Sequence, residues 1–211
     1  VNTIPIIRHV DTDEQVVALT FDDGPHEQFT TQILDLFREH DAKGTFFVLG
    51  THVEQYQDLT RQLLQEGHEI GNHTVTHPRL SQLDELATRQ ELEQAEKIIY
   101  DVTEYRPTLF RPPYESYIPM TVHVAREAGY TFVLWTGGKN TLDFSKPGVT
   151  DIVERALKDL KHGDIILMHD SSEEPECDRQ QTIDALKIIL PELKKRGIRC
   201  VTISELLSKA R

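Results

Sequence analysis

Apolar runs alternate with helical patterns along most of this chain. Residues 16–21 are β-branched and aromatic with almost no charge, the pattern of a strand covered on both faces. Residues 6–10 and 15–21 flank the polar stretch 11–14, which predicts a hairpin leading into that first core strand. Phe29, Ile33, Leu36 and Phe37 then recur at helical spacing before Gly44. A strand is predicted over 45–49, a helix over 53–66 closed by Gly67, and a short strand over 68–71. Ser81 with Asp84 predicts a capping-box start to a long helix, with Leu83, Leu86, Leu92, Ala95, Ile98 and Ile99 largely on one face. A strand over 108–110 stops at Pro112 and Pro113, a helix over 119–128 closes at Gly129, and 130–135 is the fifth strand. Next come a loop over 136–148, a helix over 151–161, a strand over 164–168 and an acidic loop over 170–178. A helix through Ile183, Leu186, Ile189 and Leu190, bent at Pro191, leads to a seventh strand over 199–203 and a terminal helix over 204–209.

Seven strands, each followed by a helix, predict an α/β fold: a distorted (β/α)7 barrel, an incomplete relative of the TIM barrel, with an open doubly wound sheet as the alternative. At 211 residues, with no linker, repeat or low-complexity tract, the whole of 1–211 is expected to form a single domain. The formal charge of -12 disfavours nucleic acid or an anionic membrane surface as partner and points to a neutral or cationic substrate. No apolar run approaches bilayer length, so membrane insertion is not expected. The first ten residues lack the charged head and apolar core of a signal peptide, and a chain beginning at Val1 is expected to be already trimmed. Cys177 and Cys200 are too few for a disulfide scaffold and lie outside metal-like spacing; they read as isolated thiols, with pairing open in a secreted protein.

The unusual residues gather at strand ends. Asp22 and Asp23, His73 and His77, residues 111–114, Trp135 and His169 all fall at or just past the carboxyl ends of predicted strands, the face on which barrels place active sites. Gly24 and Pro25 end the first strand, and adjacent aspartates there point different ways and can take different tasks, although Asp-Gly-Pro is also ordinary turn chemistry. His73 and His77, four apart, would share one side of a helical turn and suit joint metal ligation; such pairs are also often incidental. With Asp23 they form a two-histidine, one-carboxylate set that leaves positions open for water and substrate. Arg111-Pro-Pro-Tyr114 is either a plain loop stiffener or a rigid turn that sets an arginine beside a carboxylate and exposes a backbone N–H. His169 is a candidate general acid. The remaining histidines, His52 and His68 among them, are expected to be structural or solvated, with His26 close enough to line the site.

Together these motifs resemble the polysaccharide deacetylases of the NodB-homology type, carbohydrate esterase family four. The resemblance runs from about residue 16 to 203 and rests on TFDDGP (20–25), HTVTH (73–77), RPPY (111–114) and LMH (167–169). It implies Asp22 as general base, Asp23, His73 and His77 as metal ligands, Arg111 as the partner orienting Asp22, and His169 as general acid. It further implies the Tyr114 N–H in an oxyanion hole, and Leu167 beside the acetyl methyl; Trp135 is counted among the substrate-binding residues. The fourth motif departs from the family pattern. Trp135 is followed by TGGKNTLDF, with Asn140 in place of the first acid and Phe144 in place of a tryptophan, leaving Asp143 as the best match for the acid that holds the catalytic histidine.

The implied function is metal-dependent removal of acetyl groups from N-acetylglucosamine units of chitin, chito-oligosaccharide or peptidoglycan. The expected metal is Zn2+, with Co2+ or Ni2+ as alternatives. A monomer acting on an acetylated glycan, outside the cell or in its envelope, is expected. An O-acetyl xylan esterase would use the same constellation, and a non-catalytic carbohydrate-binding relative would keep the groove without turnover. A non-haem iron oxygenase shares the ligand set but has no use for a second aspartate.

Overall fold

The computed structural model describes residues 5–174 and 176–211. The reading of the first four residues as part of the amino terminus lies outside this range, as does Pro175 of the acidic loop. Seven parallel strands form one curled sheet: β1 (Val16–Asp22), β2 (Thr45–Val48), β3 (Glu69–Asn72), β4 (Leu109–Phe110), β5 (Thr131–Phe132), β6 (Ile165–His169) and β7 (Arg199–Cys200). The sheet runs β5-β4-β3-β2-β1-β6, and β7 pairs with the start of β1. The helices are α1 (Phe29–Glu39), α2 (Gly50–Gln55), α3 (Gln57–Gln65), α4 (Glu85–Thr103), α5 (Pro119–Glu127), α6 (Val149–Leu157), α7 (Gln180–Lys195) and α8 (Ile203–Ser208). This α/β half-barrel bears out the distorted, incomplete (β/α)7 barrel that the strand–helix alternation predicts.

Every residue of β1 is buried, because both its faces are covered. Val17, Leu19 and Phe21 pack with Ile33 and Phe37 of α1 and Leu186 and Ile189 of α7, while Val16 and Ala18 point the other way, toward Phe47, Ile165 and Val133. Register places the carboxyl ends together: Asp22 pairs with Phe47 of β2 and His169 of β6, and Asn72 of β3 with Phe110 of β4. The residues that follow these strands therefore meet at one end of the half-barrel.

Several local expectations are corrected. The predicted hairpin does not form. Ile7 makes a parallel bridge with Val133 and His9 an antiparallel one with Asp164, because β2, β6 and β7 already occupy the edges of β1. Residues 136–141 also lie along β6, with the Leu167 N–H donating to the Lys139 carbonyl at 3.0 Å and the Thr141 N–H to the Leu167 carbonyl at 3.2 Å. These two segments fill the gap between β5 and β6 that an eighth strand closes in a full barrel. The helix predicted over 53–66 is two helices meeting at Tyr56. The long helix starts about a turn later than a Ser81 cap would place it: Asp84 is its N-cap, accepting the Ala87 N–H at 2.8 Å, and Leu86 is exposed. Pro191 is accommodated inside α7, which continues to Lys195. Cys177 and Cys200 are free thiols.

Candidate active site

β1 delivers Asp22 in extended backbone, and the chain then turns sharply, with Asp23 at φ 79°. A non-glycine residue held there is a strained position of the kind that gathers at functional sites. Thr74, His77 and Tyr114 share it, at φ 73°, 63° and 58°. The turn requires Gly24, since a Cβ there would lie 2.1 Å from Oδ2 of the fully buried Asp170. The two aspartates consequently face different partners.

Asp22 Oδ1 accepts a hydrogen bond from Arg111 Nη1 at 2.9 Å. The Arg111 guanidinium has no solvent exposure and also donates to Thr20 Oγ1 at 2.8 Å and to the carbonyls of Leu134 at 2.7 Å and Val133 at 3.3 Å. It lies 4.2 Å over the Phe47 ring. An arginine with four hydrogen-bonded partners inside the half-barrel fixes the carboxylate it pairs with. Asp22 Oδ2 is left 3.7 Å from His73 Nε2.

Asp23 Oδ1 lies 3.3 Å from His73 Nε2 and 3.0 Å from His77 Nε2, and neither contact is a hydrogen bond. This oxygen is buried without a hydrogen-bond partner among the described residues. One donor atom from each of Asp23, His73 and His77 lies within 4.8 Å of the others. Burial would raise the Asp23 carboxyl, but the two imidazoles, with His169 beyond, hold it below the usual carboxylate range. Three convergent donors around an orphaned buried oxygen fit a divalent cation. His73 Nδ1 donates to the Arg111 carbonyl at 2.7 Å, which leaves the Nε2 lone pair facing Asp23.

The histidine pair does not sit on a helical turn as its spacing suggested. It lies in the bend after β3, where Asn72 Oδ1 accepts the Thr74 N–H at 2.8 Å and Glu91 of α4 accepts the N–H groups of Val75 and Thr76 at 2.8 and 3.1 Å. The ring centroids are nonetheless 5.2 Å apart.

His169 ends β6, and its Nδ1 lies 2.8 Å from Asp143 Oδ1. Asp143 Oδ2 accepts the His169 backbone N–H at 2.8 Å and the Thr182 hydroxyl at 2.7 Å. The altered fourth motif thus still brings an acid to the histidine. Asn140 Oδ1 accepts the Leu142 N–H at 3.0 Å, Leu142 takes φ 55°, and Asp143 turns inward while Phe144 packs edge-on to the His169 ring at 5.6 Å. Burial pulls the imidazole down, but the Asp143 charge and hydrogen bond, with Asp23 and Asp22 behind, carry it up to about 9.

All ten residues singled out from the sequence meet here. Asp22, Asp23, His73, His77, Tyr114, Trp135, Leu167 and His169 line one cavity of about 590 Å³, and Arg111 and Asp143 stand directly behind Asp22 and His169. Arg79, Phe144, Lys146 and residues 172–174 and 176–179 are among its other walls. Sequence reading missed four contributors. Thr20 and Thr182 look like ordinary core threonines, and Glu173 is one acid in an acidic loop. His52, expected to be structural or solvated, donates from Nδ1 to the Asp23 carbonyl at 2.6 Å and so braces the strained residue; an isolated histidine on a helix gives no pattern to find it by. His26 does not line this cavity; it lies in a neighbouring one with His52 and Tyr56.

A family profile described as polysaccharide deacetylase matches residues 9–133. A peptidoglycan-N-acetylglucosamine deacetylase of Bacillus cereus is 43% identical over 198 residues, which cover 94% of this chain and 91% of that protein. A chitooligosaccharide deacetylase of a Bradyrhizobium strain is 36% identical over 189 residues, 86% of this chain and 85% of that one. Among solved structures, the Bc1960 peptidoglycan N-acetylglucosamine deacetylase, crystallised in complex with a 4-naphthalen-1-yl-N-oxidanyl-benzamide, superposes with a TM-score of 0.90 at 34% identity, covering 97% of this chain and 94% of that one.

Proposed function

The chain belongs to the polysaccharide deacetylase family, and from that premise we propose that it is a metal-dependent hydrolase removing acetyl groups from N-acetylglucosamine units of peptidoglycan or a related chito-oligosaccharide. The observation that carries this reading is the convergence of Asp23, His73 and His77 in a cavity that also holds an arginine-paired aspartate and an aspartate-paired histidine. Asp23, His73 and His77 would hold the cation, and zinc is the metal proposed, with cobalt or nickel as substitutes. A cation bound there would polarise the acyl carbonyl and lower the pKa of water.

The chain's own residues supply the rest. Arg111 keeps Asp22 oriented, so that its Oδ2 takes the proton of the attacking water. The Tyr114 N–H, on a turn stiffened by Pro112 and Pro113, donates to the oxygen on which charge develops, and loss of such a donor costs about two to three powers of ten in rate. Leu167 and Trp135 line the cavity and exclude water beside the acetyl methyl. His169, held protonated by Asp143, gives its proton to the departing amine nitrogen, without which the amine is too basic to leave. Acetate and a free amino sugar result.

Residues 1–211 are taken as one catalytic domain acting as a monomer. No helix among the described residues is long and apolar enough to cross a membrane. A polymeric cell-wall substrate places the reaction outside the cell or in its envelope. The test is acetate release from peptidoglycan, chitopentaose and acetylated xylan. Release from the first two above xylan supports the N-deacetylase reading, and release from xylan alone would replace it with O-acetyl esterase activity.

A further inference from the structure

Of the two candidate ligand imidazoles, only one has its rear nitrogen satisfied. His73 Nδ1 donates to the Arg111 carbonyl at 2.7 Å. His77 has a side chain only 6% exposed, directs Nε2 to Asp23 Oδ1 at 3.0 Å, and leaves Nδ1 without a hydrogen-bond partner among the described residues. An imidazole that offers the Nε2 lone pair carries its proton on Nδ1, and a buried N–H with no acceptor is unfavourable. Facing that nitrogen, 3.5 Å away, is Oε1 of Glu173, from the loop after β6.

The Glu173 carboxylate is held near His77 by a second group. Its Oε1 accepts the Tyr114 hydroxyl at 2.5 Å, and the Tyr114 ring packs edge-to-face on His77 with centroids 4.5 Å apart. The Arg79 guanidinium lies 4.1 Å over the same tyrosine ring. Glu173 is one-third exposed, so a small rotation of its side chain closes the remaining distance to Nδ1 without disturbing the core.

We propose that Glu173 is the positioning carboxylate of His77: it accepts the Nδ1 proton, fixes the ring with Nε2 toward Asp23, and strengthens metal binding by Asp23, His73 and His77. The inference rests on the metal-dependent reading above. A carboxylate behind a ligand histidine orients the ring and raises its basicity, and its removal typically weakens metal affinity about 10- to 100-fold. It also ties the acidic loop and Tyr114 to the ligand set, so that the wall of the cavity and the cation site are ordered together.

The test is zinc affinity by chelator competition for the wild type, Glu173→Ala, Glu173→Gln, Glu174→Gln and Asp23→Ala, with the visible spectrum of the Co2+ forms as a second readout and the melting temperature of each metal-free protein as a check on folding. Glu173→Ala is expected to weaken zinc binding by about 10- to 100-fold and to alter the Co2+ spectrum. Glu173→Gln, which keeps an acceptor oxygen, should retain most of the affinity. Glu174→Gln, which removes the same charge one residue along, should stay within about twofold of wild type. Zinc binding by Glu173→Ala within twofold of wild type overturns the proposal, as does an equal loss in Glu174→Gln. A wild type that binds no zinc, or binds it undiminished in Asp23→Ala, overturns instead the metal site on which the proposal rests.

Discussion

Asp143 holds His169 at two points, one carboxylate oxygen on the ring Nδ1 and the other on the backbone N–H, both at 2.8 Å. Burial alone would depress this imidazole, and the Asp143 charge and hydrogen bond, with Asp23 and Asp22 behind, reverse the effect and raise it to about 9. A raised histidine pKa means that the pair's stabilising contribution is complete below the unfolded value of about 6.5 and is lost as pH rises through about 9. The acid therefore stays in its donating form at neutral pH. The expected kcat/KM profile falls on its alkaline side as His169 loses its proton, below about pH 9 in the metal-loaded enzyme because a cation on Asp23 offsets part of the negative charge that raises the imidazole. Asp143→Asn is expected to move that alkaline limb to lower pH and to reduce the rate by about two to four powers of ten. An unmoved limb would mean that Asp143 does not set the histidine's charge.

Arg111 is an ion-pair partner and a core residue at once. Its guanidinium has no exposure and four hydrogen-bonded partners, and Arg111→Met would leave the 4%-exposed Asp22 without its cation. Breaking one side of a buried pair costs about 3–5 kcal/mol, and the urea unfolding midpoint should fall accordingly. Arg111→Lys keeps the charge with three donors on a single nitrogen and cannot reproduce the fork, so an intermediate loss is expected. A midpoint within error of wild type for Arg111→Met would contradict this placement.

His68 makes the fold acid-sensitive. It is buried against Phe37 and Phe46, and its Nδ1 accepts the Gly44 N–H at 3.0 Å, which requires that nitrogen unprotonated. Burial, with the charge of Lys43 adding to it, lowers the imidazole to about 4. The folded state thus resists a proton that the unfolded chain accepts at about pH 6.5, so stability is unaffected above that pH and falls as pH drops from about 6.5 to 4, by roughly 2–3 kcal/mol. His68→Gln should flatten this part of the curve in urea titrations between pH 7 and 4.5. An equally steep curve would assign the acid sensitivity to other groups.

The sequence was legible where chemistry and strand ends coincide. The run 16–21 with its terminal Asp22 and Asp23, and the strand ending in His169, were readable because parallel strands buried on both faces are continuously apolar and stop at their polar ends. Asp143 could be matched despite the altered motif because only one acid lies in the loop after Trp135 and Asn140. The path of residues 6–10 was not readable, since the hairpin pattern is local and the choice of partner depends on which edges of β1 are already taken. The proximity of His73 and His77 was inferred from the wrong local geometry: it comes from a bend held by Asn72, one residue before the motif, and by Glu91, in the second turn of α4. His52 and Glu173 left no trace in the pattern, because their roles exist only through contacts between distant loops.

The central claim is hydrolysis by Asp22 beside a cation held by Asp23, His73 and His77. Its most direct test is acetate release from peptidoglycan by metal-stripped protein, with and without added zinc, for the wild type, Asp22→Asn and Asp23→Ala. The expected result is release by the wild type only when zinc is restored, loss of that release in Asp22→Asn with zinc binding retained, and loss of both in Asp23→Ala. Undiminished release by metal-stripped wild type, or by zinc-loaded Asp22→Asn, would contradict the account.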